Sequence, residues 1–176
     1  MSTRAENRLN MTRDELACLF EYDSQTGKVI WLVDRFTGKP PRKIVSAGEE
    51  AGSYSDSGYR VISINRQRIY THRLAWMLVY GEWPEKVLDH IDTNRANNRL
   101  ENLRLATQAE NRSNTTVRAK SGFKGVIKQP LAKSYMAQIT VGGEHHYLGS
   151  YPTAEEAHAS YCEAARKAFG EFARFE

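Results

Sequence analysis

The 176-residue sequence has only two cysteines, Cys18 and Cys162, far apart and outside any Cys-x-x-Cys pair. That leaves a zinc ribbon without support. A lone disulfide is not expected in a cytosolic protein, so both cysteines read as packing residues. Long apolar runs are missing: nothing approaches the roughly 20 residues that a bilayer-spanning helix needs. The polar opening from Met1 to Asn10 lacks the apolar stretch of a secretory signal. The expectation is a cytoplasmic protein without a membrane role. Internal repeats and low-complexity tracts are absent too. The balance of 40% hydrophobic and 26% charged residues is that of a globular chain, long enough for one large domain or two small ones.

Acid is missing from two long stretches. Ser57 to Gly81 has four arginines (Arg60, Arg66, Arg68, Arg73) and no Asp or Glu. Arg112 to Gly143 has six basic residues (Arg112, Arg118, Lys120, Lys124, Lys128, Lys133) and again no acid. The net charge of +4 says little by itself, but this distribution suits phosphate neutralisation, as it also suits two solvated basic faces.

Hydrophobic periodicity and turn residues predict an α+β chain. Thr12 and Glu15 form a capping-box pattern ahead of Leu16, Leu19 and Phe20. Residues 23–70 read as short strands between turns, including a hairpin around Asn65-Arg66-Gln67. A helix is expected from Thr71 to Tyr80, closed by Gly81. The expected division is a first domain over 1–115, a linker over 116–121 and a second domain over 122–176. The second consists of three short antiparallel strands and one helix, capped by Thr153 and stopped at Gly170.

Between Val87 and Asn111 the chain places Asp89-His90 at the end of an apolar strand, then an Asn-rich loop (Asn94, Asn97, Asn98). A second strand from Asn102 and a helix capped by Thr107 and Glu110 follow, with Asn111 in that helix. A neutral imidazole can take a proton from water at physiological pH. A carboxylate and an amide oxygen are hard donors that suit a magnesium ion retaining several waters. Such a set meets the needs of phosphodiester hydrolysis.

The residues His72-Arg73-Leu74-Ala75-Trp76, Asp89-His90-Ile91-Asp92, Asn97 to Leu103 and Asn111 resemble the phage-type HNH homing endonucleases, which have the ββα-metal fold. The resemblance covers about residues 58–114. It implies an endonuclease that nicks or cuts double-stranded DNA with Mg²⁺ (or Mn²⁺). It implies His90 as general base, Asn102 as the residue that holds the loop and orients His90, and Asp89 and Asn111 as metal ligands. Asn111 stands where the family name has a histidine, a weaker ligand. His72 precedes an apolar helix and is expected to be structural. Arg73, Arg95 and Arg99 are either phosphate contacts or solvated arginines.

Residues 122–176 resemble the plant ethylene-response-factor type of DNA-binding domain through Gly125-Val126, Ala137, Ile139, Tyr147-Leu148-Gly149, Thr153 to Ala157 and Tyr161. The resemblance implies that the sheet meets DNA. Ile127 and Gln129 stand where that family favours arginine, and Tyr135 and Tyr147 where it favours tryptophan. Lys124, Lys128, Lys133, Gln138 and His145 remain candidate DNA contacts. Tyr135 and Tyr147 either contact DNA or pack the sheet. No protein partner is implied. The alternative is a DNA-binding protein with a degenerate nuclease centre. An RNA binder is disfavoured because the signature of an RNA-recognition sheet is missing.

Overall fold

The computed structural model describes residues 10–114 and 121–175. The expected linker, 116–121, falls outside them except for Ser121. Contacts divide the chain into two compact units, with the division between Leu105 and Ala106.

The first unit opens with α1 (Arg13–Ala17), whose capping box forms as expected: Thr12 Oγ1 accepts from Glu15 N at 3.2 Å, and Thr12 N donates to Glu15 Oε2 at 2.8 Å. Strands β1 (Phe20–Asp23) and β2 (Lys28–Trp31) form an antiparallel hairpin, and β3 (Arg35–Thr37) and β4 (Arg42–Val45) form a second. Strands β5 (Ser53–Tyr54), β6 (Arg60–Ile64) and β7 (Gln67–Tyr70) make a three-stranded antiparallel sheet. Asn65 and Arg66 both take positive φ, 49° and 64°, in the two-residue turn between β6 and β7, and such a turn matches the strand twist.

Helix α2 (Thr71–Tyr80) follows without a break and ends at Gly81, whose φ of 80° supplies the left-handed cap. Its apolar stripe closes the core: Leu74, Ala75, Met77 and Leu78 join Leu16, Phe20, Val29, Trp31, Ile62, Ile64 and Ile69. Beyond the core, β8 (Val87–His90) pairs with β9 (Leu103–Ala106).

The second unit holds α3 (Gln108–Ser113), again with a capping box, from Thr107 and Glu110. Strands β10 (Val126–Gln129), β11 (Ser134–Val141) and β12 (Glu144–Tyr151) form an antiparallel sheet with a bulge at Ala137/Gln138. Helix α4 (Ala154–Phe169) packs on it, burying Ala154, Ala157, Tyr161 and Ala165 against Val126, Ala137 and Ile139. Small residues permit this close approach. A Cβ on Gly125 would meet the Tyr161 ring, so only glycine fits there. The molecule is thus a mixed α+β chain of small antiparallel sheets, as expected.

Candidate active site

The β8 strand ends in two buried polar residues, Asp89 at 4% exposure and His90 at 3%. Burial of such groups is tolerable only when they are bonded, and each is. His90 Nε2–H donates to Asn98 Oδ1 at 3.1 Å, and Asn98 Nδ2 donates to Thr71 Oγ1 at 3.0 Å. The Thr71 hydroxyl in turn donates to the carbonyl of Arg60 at 3.1 Å. The relay has one sense only. The hydroxyl proton is committed to Arg60, so Thr71 accepts from the amide nitrogen and Asn98 presents its oxygen to His90. A neutral His90 therefore carries its proton on Nε2 and its lone pair on Nδ1.

Two further groups hold the ring. His72, at the start of α2, lies edge-on to it with ring centroids 5.0 Å apart, and Tyr59 lies 5.8 Å away. Tyr70 stacks on His72 at 5.4 Å, and the Arg95 guanidinium sits 4.8 Å from the Tyr59 centroid. Burial lowers the pKa of His90 below the ordinary histidine value, against the opposing pull of Asn98, Asp92 and Asp89. Burial drives His72 well below it, helped by His90 and Arg73. Burial thus favours the neutral form of both rings. His72 Nδ1 is buried without a hydrogen-bond partner among the described residues, and neutrality keeps that cost small.

Asp89 Oδ2 accepts from Arg104 Nε at 2.9 Å, an ion pair between neighbouring strands β8 and β9. Asn102 acts on the loop: its Oδ1 accepts from Asp92 N at 3.0 Å, and its Nδ2 donates to Asp92 Oδ1 at 2.9 Å and to the Asn97 carbonyl at 2.8 Å. These bonds use both amide hydrogens and one acceptor site of the oxygen. Asn102 thus bonds within the loop, whereas the amide bonded to the His90 ring belongs to Asn98.

The N-terminal hairpin clamps the same loop. Tyr22 Oη donates to the Asn98 carbonyl at 3.0 Å and accepts from Leu100 N at 3.1 Å. Gly27, with φ of 74°, lies so close that a Cβ there would come within 2.5 Å of Arg99 N. Arg99 Nε donates to the Gln25 carbonyl at 2.6 Å. Residues 20–31 are therefore part of the site's scaffold.

Of the remaining candidates, Arg73 donates to the Pro84 carbonyl at 3.3 Å and Arg95 to the Ser57 carbonyl at 2.7 Å, so both brace the backbone, as Arg99 does. Arg95 and Arg99 remain exposed, with further guanidinium donors available. Asn111 lies half-buried on α3 in the second unit. In the second unit's sheet, register places Gln138 opposite Tyr147 and Thr140 opposite His145. That face is turned away from α4, and Tyr147 is 65% exposed on it. Tyr135 lies on the other face, partly buried against the Val126–Ala137 cluster. Lys124 is half-buried: its Nζ donates to the Ser113 carbonyl, and burial pushes its pKa down to about 8. Lys128 and Lys133 are exposed.

Sequence reading missed the parts played by Asn98, Arg104, Tyr22 and Gly27. Only Asn98 lay inside the motif already singled out. The other three pair across 15 to 78 positions or through backbone packing, for which a single sequence has no signal.

The family model for HNH endonucleases matches residues 69–113. An uncharacterized HNH endonuclease of Acanthamoeba polyphaga mimivirus is 38% identical over 119 residues, which make up 66% of this chain and 62% of that protein. Protein 3.8 of Escherichia phage T7 is 34% identical over 107 residues, 59% of this chain and 88% of that protein. The chain thus spans less than two thirds of the mimivirus relative. Among solved structures, the HNH homing endonuclease I-HmuI, described for DNA binding and cleavage, is a loose likeness. Its TM-score is 0.38 at 22% identity, over 82% of this chain and 76% of that one. No helix among the described residues is long and apolar enough to cross a membrane.

Proposed function

The chain belongs to the HNH endonuclease family, and from that premise we propose that it hydrolyses phosphodiester bonds of double-stranded DNA, with His90 as general base. The observation that carries this reading is the one-way relay from His90 through Asn98 and Thr71 to the Arg60 carbonyl. It fixes the tautomer of the neutral ring, with Nδ1 as the basic nitrogen at the end of β8, while burial is what favours the neutral form. A proton taken from water by Nδ1 is accommodated because the Asn98 oxygen and the nearby Asp92 and Asp89 carboxylates favour the cationic ring.

A divalent ion of the Mg²⁺ or Mn²⁺ type fits the chemistry of the donors present. Asp89 is a buried carboxylate paired with Arg104, a hard oxygen donor of the kind such an ion takes. No group of three His, Cys, Asp or Glu side chains gathers among the described residues, so such an ion would take its other ligands from water and phosphate. When bound, such an ion polarises the phosphate and stabilises the leaving oxygen. Asn102 and the Tyr22 clamp keep the loop closed around His90. The exposed Arg95, Arg99, Lys128 and Lys133, and the sheet face bearing Gln138, His145 and Tyr147, offer DNA contacts.

With one such centre per chain, the expected product is a nick. Supercoiled plasmid incubated with Mg²⁺ becomes open-circular, and EDTA or His90→Ala stops the conversion. Unchanged cutting by His90→Ala overturns the base assignment. The Arg104–Asp89 ion pair is the one observation that favours the second reading, a DNA-binding protein with a disabled centre. An intact plasmid at every Mg²⁺ concentration selects that reading.

A further inference from the structure

Resting on the metal reading above, the geometry points to Arg104 as a resident counter-cation. It pairs with Asp89 and would pass its guanidinium to a DNA phosphate when a divalent ion takes that carboxylate. Asp89 is 4% exposed and Arg104 only partly buried, with Nε of Arg104 2.9 Å from Oδ2 of Asp89. A carboxylate this deeply placed needs a positive partner, and here the partner is a side chain on the neighbouring strand. A divalent ion held by the same carboxylate would be repelled by that guanidinium, since two cations would share one carboxylate.

The conflict is resolved if Arg104 finds another anion. Its planar fork of donors suits a phosphate better than any other group that DNA offers. Its side chain, on the strand that follows the Asn loop, is 16% exposed. Metal and DNA then bind cooperatively, each easing the other's entry by the same factor. The arrangement keeps the centre poorly loaded away from DNA and loads it on the substrate.

The experiment measures Mn²⁺ binding to the full chain, read from the electron paramagnetic resonance of free Mn²⁺, with and without a short duplex. Arg104→Gln removes the competing cation, so Mn²⁺ binds more tightly without DNA, by at least about fivefold, and the tightening caused by DNA shrinks by a similar factor. Equal or weaker Mn²⁺ binding by a folded Arg104→Gln protein overturns the proposal. If that variant shows no cooperative melt, the wild-type protein decides through the ¹⁵N resonance of the Arg104 Nε–H group, assigned by its loss in Arg104→Lys. The resonance must shift when Mg²⁺ and duplex are added together, and a fixed resonance overturns the proposal. Asp89→Ala separates the two levels of inference. If it binds Mn²⁺ as wild type does, the metal assignment falls and this proposal falls with it. If it loses Mn²⁺ while Arg104→Gln changes nothing, this proposal alone falls.

Discussion

His90 Nε2 lies 3.1 Å from Asn98 Oδ1, so one amide in a surface loop decides which nitrogen of a buried imidazole carries the lone pair. Asn98→Ala takes away that acceptor and frees the ring. Losing a hydrogen-bond partner that orients an imidazole typically costs about 10–100-fold in activity. Losing a general base costs about 10²–10⁴-fold. The nicking rate of Asn98→Ala is therefore expected to fall, but by less than that of His90→Ala. In the double variant the two losses do not add, because Asn98 acts through His90. Additive losses in single-turnover nicking would show that Asn98 acts on something else.

The loop that carries Asn98 is held from the far end of the sequence by Gly27. Gly27→Ala places a methyl 2.5 Å from Arg99 N in a left-handed backbone conformation. It is expected to destabilise the first unit by more than about 1 kcal/mol, lowering Tm by about 4–8 °C per kcal/mol. Gly48→Ala is the control, since its φ is also positive, 88°, but nothing lies within 4 Å. Thermal melts of the two variants should differ, with Gly27→Ala the lower. Equal melts would mean that the hairpin does not press on the loop.

Burial lowers the pKa of both His72 and His90 below the ordinary 6.5. The unfolded chain therefore binds more protons than the folded one once pH falls beneath that value. The stability these residues contribute is complete above 6.5 and is lost as pH drops below it. Tm should decline between about pH 7 and about pH 5, and His72→Gln, which cannot titrate, should flatten that decline. The acid limb of the nicking rate should also lie below 6.5, because His90 stays neutral further into acid. An unchanged Tm slope in His72→Gln would exclude His72 as a source.

The basic residues of the second unit should separate by assay. Lys128 and Lys133 are exposed, and Lys124 is bonded to the Ser113 carbonyl. Replacing Lys128 and Lys133 by Gln should lower the slope of log K against log salt by about 1–2 units for a duplex, at unchanged Tm. Lys124→Gln should lower Tm with little effect on the slope. Reversed behaviour, measured by binding isotherms at several salt concentrations and by melting curves, would place the phosphate contact at Lys124.

Sequence by itself determined the local elements and the inventory of the centre. Capping boxes at Thr12 and Thr107, the Asn65-Arg66 turn, the Gly81 cap and the alanine face of α4 rest on contacts within a few residues, so each could be read in order along the chain. The Asp89-His90 step and the asparagines that follow were legible for the same reason: their spacing is short. Tertiary structure decided which of those residues bond to one another. Asn98 and Asn102 are chemically alike and four positions apart. Asn98 faces His90 because Thr71 and Tyr22, from a helix and a hairpin elsewhere in the chain, hold it there. Arg104 reads as one more basic residue until β8 and β9 pair and bring it to Asp89. Tyr135 and Tyr147 alternate onto opposite faces only once a bulge shifts the register of β11 against β12. A hydrogen bond needs its partners within about 3 Å. Which distant residue comes that close is a property of packing, and in a single sequence it leaves no trace.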